Sequence, residues 1–323
     1  MESIAAELGL SRKTVSVVLN GRERQFRLSE ATVRRVREHL AQRGYVPSRQ
    51  ARHLRVAPGR VFGILHVDGL YTHLIDAFHQ LSGNLSAAVP EVEIMVATAD
   101  RLENAVRELL ARRVTDLVWI HHPEVGEPYR DERVANYLRN MHTVIYDYRF
   151  DSASSEKELH DRGVALVGVD RKAHVRRMGL FLKRLGHKVA ALPDVAFSFS
   201  SYSAALAGAG LVVADCQFPF RVEKLLRAMS QQGVTAAFFN GDTSACQAIA
   251  ALEKRGVRIP EDLTVIGFDG TSLPFCRNLT TLAMPVGEMA ARTCEIVTGK
   301  EDGLRHCFDM ELIKGKTHGL PRS

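Results

Sequence analysis

Two sets of residues have types and spacings that suit recognition chemistry. The first is Ser11, Arg12, Lys13, Thr14, Ser16 and Asn20, six hydrogen-bonding side chains within ten positions. Ser11 is an N-cap type at the start of a helical pattern, so the group collects near one helix N-terminus, where donors and acceptors can meet base edges. The second set is Asp68, His121, Asp170, Asn240, Asp242 and Asp269, each just past a short apolar run that reads as a strand. Carboxylates and amides at the carboxyl ends of parallel strands accept hydrogen bonds from the hydroxyls of a small ligand lodged there.

The elements that must position the first set lie in the first 46 residues. Ile4, Ala5 and Leu8 fall at helical spacing, and Gly9 supplies a left-handed turn. Val15, Val18 and Leu19 then make the apolar face of a second helix closed by Asn20 and Gly21. A third helix is expected from Ser29 to about Arg43, with Val33, Val36 and Leu40 inward and Gly44 ending it. Residues 1–60 hold thirteen Arg/Lys and five Asp/Glu, a net charge of 13 − 5 = +8, against a whole-chain value of +6. All the excess positive charge therefore sits in the first fifth, as a polyanionic partner requires.

Val56 to Arg60 interrupts the pattern, and alternating strands and amphipathic helices follow. Strands are expected at 61–67, 93–97, 116–120 and 143–148, and in a second series at 164–169, 188–192, 236–240 and 263–269. This alternation predicts two doubly wound, mostly parallel α/β lobes. The domain reading is a small all-α helix-turn-helix module over 1–46, a linking segment over 47–60, and a two-lobed α/β domain over 61–323. Its lobes are expected at about 61–148 plus 286–300, and about 151–280 plus 306–316.

The motif Ile4-Ala5-Ala6-Glu7-Leu8-Gly9-Leu10-Ser11-Arg12-Lys13-Thr14-Val15-Ser16, followed by Gly44-Tyr45-Val46-Pro47-Ser48-Arg49-Gln50-Ala51-Arg52, resembles the headpiece and hinge of the lactose-repressor (LacI/GalR) family. Further segments fit that family's sensor domain, which resembles periplasmic binding proteins: Gly186-His187-Lys188-Val189-Ala190, Asn240-Gly241-Asp242, and Arg258-Ile259-Pro260-Glu261-Asp262 running on to Asp269. The resemblance implies a homodimer on a pseudo-palindromic operator, and a hinge helix that presses Leu54 into the minor groove beside Arg49, Ala51 and Arg52. It also makes Asp242 and Asp269 the leading effector contacts.

Three departures stand out. Met1 lies almost inside the first helix, leaving the family's upstream capping Thr without a counterpart. Val17 replaces the usual Arg of the recognition helix, and Arg22 to Leu28 lengthens the link to the third helix with Arg22, Arg24 and Arg27. Ser198 also stands where the family often places an effector-binding Arg.

Other classes find little support. There is no GxGxxG after a strand, P-loop, GxSxG or HExxH, so no catalytic residue and no cofactor is expected. His121, His122 and Glu124 do not make a metal site, because adjacent side chains on an extended segment point apart. The five scattered cysteines, the absence of an apolar run of roughly 18 residues, and the plain N-terminus read as a reduced, cytoplasmic protein without a membrane partner. The rival reading is a solute-binding protein, or a DNA-binding regulator that needs no ligand.

Overall fold

A computed structural model describes residues 2–19, 23–42, 60–67, 72–89, 92–97, 101–120, 131–150, 153–195, 199–214, 216 and 220–322. The chain divides into two compact units at Arg60/Val61.

The first unit holds α1 (Glu2–Glu7), α2 (Arg12–Leu19) and α3 (Glu30–Gln42). Gly9, at φ +59°, makes the left-handed turn between the first two. Ser29 caps α3 by accepting from the Thr32 N–H at 3.2 Å. One apolar cluster closes the unit: Ile4, Ala5, Leu8, Val15, Val18, Val36 and Leu40. Because that core is small, polar ties between helices matter more. The Arg35 guanidinium donates to the Leu8 carbonyl at the end of α1, and His39 lies 2.9 Å from Glu7.

The second unit contains two six-stranded sheets. The first has the order β11-β5-β4-β3-β1-β2, from β1 (Phe62–Val67), β2 (Val92–Ala97), β3 (Asp116–Ile120), β4 (His142–Arg149), β5 (Ala165–Val169) and β11 (Arg305–Phe308). All its pairings are parallel. Alternate strand residues serve opposite faces. Val118, Ile120 and Tyr146 pack with α4 (Thr72–Ala88) and α12 (Val286–Val297), while Leu117, Trp119 and Ile145 pack with α5 (Leu102–Ala111) and α6 (Glu132–Leu138). α7 (Ala153–Asp161) adds Leu159 to the second group.

The second sheet has the order β12-β10-β9-β8-β6-β7. Its strands are β6 (Val189–Ala191), β7 (Val212–Ala214), β8 (Ala236–Phe238), β9 (Thr264–Asp269), β10 (Thr280–Ala283) and β12 (Glu311–Ile313), the last antiparallel to β10. α8 (Arg171–Leu185) and α9 (Phe199–Gly208) cover one face, and α10 (Val222–Gln232) and α11 (Asp242–Glu253) the other. Each fully buried Leu, Ile or Phe contributes about 1.5–3 kcal/mol by leaving water.

The lobe boundaries differ from the sequence expectation. The strand at 164–169 reads as the opening of the second lobe but pairs with β4 in the first sheet, and residues 305–308 pair with β5 there. The chain therefore crosses at 170, 284–285 and 309–310, not near 149–163 and 300–306. An apolar run announces a buried strand without saying which of two similar sheets it joins. His174 ties two crossings together: Nδ1 donates to the Asp170 carbonyl at 2.7 Å, and Nε2 accepts the Met310 N–H at 2.9 Å.

β4 carries a bulge between Tyr146 and Tyr148, with Asp147 at φ +63°. A Cβ on the neighbouring Gly168 would stand 1.9 Å from the Tyr148 carbonyl oxygen, so only glycine fits beside the bulge.

Candidate functional site

In the N-terminal unit the Ser11 hydroxyl accepts the Thr14 N–H at 3.0 Å and lies 2.8 Å from the Thr14 hydroxyl. This cap fixes the first turn of α2. Ser11, Arg12 and Lys13 are exposed, Thr14 and Ser16 half-buried, and Val15 and Val18 turn into the core. The helix thus shows water a short cationic end and hides its apolar face. The Lys13 ammonium lies 5.5 Å from the centroid of Phe26, an exposed ring in the long α2–α3 link. Val17, which replaces the family's usual Arg, is only 8% exposed and therefore packed inward. Asn20, Arg49, Ala51, Arg52 and Leu54 lie outside the described residues.

Between the lobes of the second unit, a cavity of about 510 Å³ is lined by Asp76, His79 and Gln80 of α4, by Asp269, Gly270 and Ser272, and by Met284 to Glu288 leading into α12. Both lobes thus contribute. Asp269 ends β9 at φ +107°, a backbone conformation an L-residue holds only where its surroundings impose it, and its carbonyl accepts the Met284 N–H at the crossing.

A polar seam that the sequence reading missed runs beside Asp269. The Arg171 guanidinium, at the first position of α8, donates to both carboxylate oxygens of Asp147 at 2.8 and 2.9 Å. It also lies 5.0 Å from the Phe268 ring centroid. Both charged side chains are buried, and they come from opposite lobes. Burial works against the Arg171 charge, yet Asp147, with Tyr202 and Asp269 near it, holds the guanidinium pKa above its ordinary value. Arg149, also on β4, reaches the Tyr202 hydroxyl at 3.5 Å. The only sequence signal was charge inside apolar runs, at Asp147 and Arg149 in β4 and at Arg171 beside Asp170.

The other expected effector contacts separate. Asn240 is half-buried at the end of β8, its N–H donating to the Asp194 carboxylate at 2.8 Å. Asp170 is engaged as the N-cap of α8, accepting the Ala173 N–H at 2.8 Å. Asp242 is buried, and its two oxygens accept from the Thr281 hydroxyl at 2.5 Å and the Thr271 N–H at 2.7 Å. Its carboxylate thereby holds the loop after β9. Asp68 and His121 lie outside the described residues, as does Ser198. No group of three or more His, Cys, Asp or Glu among the described residues is disposed to hold a metal.

Burial pushes Asp194 up to about 6, against hydrogen bonds from the Asn240 N–H and Ser244. It pushes Asp242 to about 6 as well, against its Thr281 and Thr271 partners. The unfolded chain loses these protons first, from its ordinary 3.8 upward, while the fold retains them. The folded state then binds more protons, so stability falls as pH rises from about 4 to 6 and levels off above. Asp194→Asn should remove about 3 kcal/mol of that decline, read as melting temperature against pH for variant and wild type. Parallel curves for the two proteins contradict the assignment.

These features define a class: a compact helix-turn-helix module joined to a two-lobed, periplasmic-binding-protein-like domain. A family model for the periplasmic binding protein-like domain matches residues 157–306. The HTH-type transcriptional repressor CytR of Escherichia coli (strain K12) is 25% identical over 99% of this chain and 97% of its own length. A LacI-family transcriptional regulator from Silicibacter pomeroyi superposes with a TM-score of 0.72 at 18% identity, covering 99% of this chain and 98% of that one. The lac repressor dimer bound to operator and the anti-inducer ONPF gives 0.68 at 19%, covering 97% of each. The chain is thus similar in sequence to CytR over nearly its whole length and shares the fold of these solved regulators.

Proposed function

We propose that this chain is a transcription repressor that binds duplex DNA through α2 and is controlled by a small molecule held between its lobes. The observation that carries the DNA-binding half is the Ser11-capped helix, which presents Arg12 and Lys13 to solvent at the head of a segment of charge +8. CytR is named a repressor, and the lac repressor of the solved complex is a dimer on its operator. One short helix reads too few base pairs to specify a site, so two copies on a pseudo-palindrome are the economical arrangement. The protein acts where DNA is, in the cytoplasm.

The effector reading rests on Asp269 at the cavity wall, with Asn240 and Asp194 behind it. Among the described residues lining the cavity, the charged side chains are the carboxylates Asp76, Asp269 and Glu288, with no Arg or Lys. That balance favours a ligand rich in hydroxyl donors, a sugar or related metabolite, over an anion. In this proposal effector binding changes the relative orientation of the lobes. It thereby changes the spacing of two hinge segments, which carry Arg49, Ala51, Arg52 and the wedge Leu54.

Binding-site selection from random duplexes tests the DNA half. The expected yield is inverted repeats, bound with an affinity that falls steeply as salt rises. Single half-sites, or salt-insensitive binding, would overturn it in favour of a solute-binding protein.

A further inference from the structure

We propose that Cys246 and Cys276 are a reversible redox pair whose disulfide clamps the loop that walls the ligand cleft. The two Sγ atoms are 2.9 Å apart, with the Cys246 thiol donating to Cys276 and the Cys276 thiol donating to the Asp242 carbonyl at 3.6 Å. A disulfide bond is about 2.05 Å long, so closure requires a sulfur shift of about 0.9 Å. The flanking elements make the bond consequential. Cys246 is one turn into α11, the helix that opens with Asp242, and Cys276 ends the short 3-10 turn Pro274–Cys276. Between β9 and that turn lie Gly270 and Ser272, both lining the cavity, and Thr271, whose N–H is held by Asp242. A covalent link would give this segment a second anchor on the same helix.

The oxidant is a low-molecular-weight disulfide such as oxidised glutathione. The half-buried Cys246, as thiolate, attacks one of its sulfurs, forming a mixed disulfide and expelling one glutathione thiolate. The Cys276 thiolate then attacks the Cys246 sulfur and expels the second. Two electrons pass from the protein pair to the reagent, and the two thiol protons go to solvent or to the released thiolates. Burial pushes both thiols above their ordinary pKa. The pair is therefore slow at neutral pH and follows sustained oxidation, closing about tenfold faster per pH unit in mildly alkaline buffer. The bond itself does not depend on the proposed function, whereas its meaning for the effector does.

The test incubates the reduced full-length protein with oxidised glutathione, quenches with iodoacetamide and maps the peptides by mass. The expected product is a Cys246–Cys276 cross-linked peptide lighter by two hydrogens than the pair of thiol peptides. It should revert with dithiothreitol and be absent from Cys246→Ser and Cys276→Ser. Amide exchange over 270–276 should slow at least about tenfold in the oxidised protein, and its melting temperature should rise by about 5–10 °C. A lasting glutathione adduct on Cys246, a link between two chains, or two free thiols after prolonged oxidation would overturn the pair. A bond that forms without slowing exchange in 270–276 would overturn the clamp. Neither outcome bears on whether the chain binds DNA.

Discussion

Arg171→Met is expected to lower the stability of the two-lobed unit by about 3–5 kcal/mol, a fall in melting temperature of about 10 °C. The size follows from what the change leaves behind. Asp147 is 0% exposed, and Arg171 donates to both of its oxygens, so its carboxylate would stay buried with its principal counter-charge gone. The helix dipole works the other way: a cation in the first turn of α8 costs about 0.3–1 kcal/mol, too little to offset the loss. The control is Arg171→Met combined with Asp147→Leu, which removes both charges and should recover most of the stability, because the penalty lies in the orphaned ion rather than in the missing pair. Thermal unfolding of the three proteins checks this. A single-variant loss below about 1 kcal/mol, or a double variant as unstable as the single, would show that the pair does not tie the lobes.

Arg12→Ala with Lys13→Ala should weaken selected operator by about 10²–10³-fold without changing the melting temperature. Both side chains are exposed, so the fold loses little. On DNA each well-placed base contact is worth about 1–3 kcal/mol, and two of them account for the estimate. Competition between selected and random duplexes separates base reading from phosphate contact. Base readers lose their preference, whereas phosphate contacts weaken all DNA equally and reduce the salt dependence. A double variant that keeps wild-type operator affinity would remove α2 from the interface.

Much of this architecture was legible from local pattern. Ser11 followed by Val15 and Val18, and the apolar runs at 116–120 and 264–269, report their own structure, because capping and burial periodicity act over a few residues. The failures are non-local. β5 reads equally well in either lobe, β7 spans only three residues, and β11 is a part-exposed edge strand with little apolar signal. The bond that Asp242 accepts from Thr281 spans thirty-nine positions and leaves no local trace. Arg171 reads as a solvated charge until the β4 bulge brings Asp147 to meet it. The cavity's Asp269 was visible because it ends a strand, the one feature of the site that is local.

The most direct test is operator titration, followed by fluorescence anisotropy, with and without a ligand that thermal-shift screening of sugars and nucleosides shows to stabilise the protein. The account predicts that the ligand changes operator affinity by about 5–150-fold, a coupling of 1–3 kcal/mol. Asp269→Ala should bind operator as the wild type does, yet lose the ligand response at the same concentration. A ligand that binds the cleft but leaves operator affinity unchanged, or an Asp269→Ala protein that responds like the wild type, would contradict it.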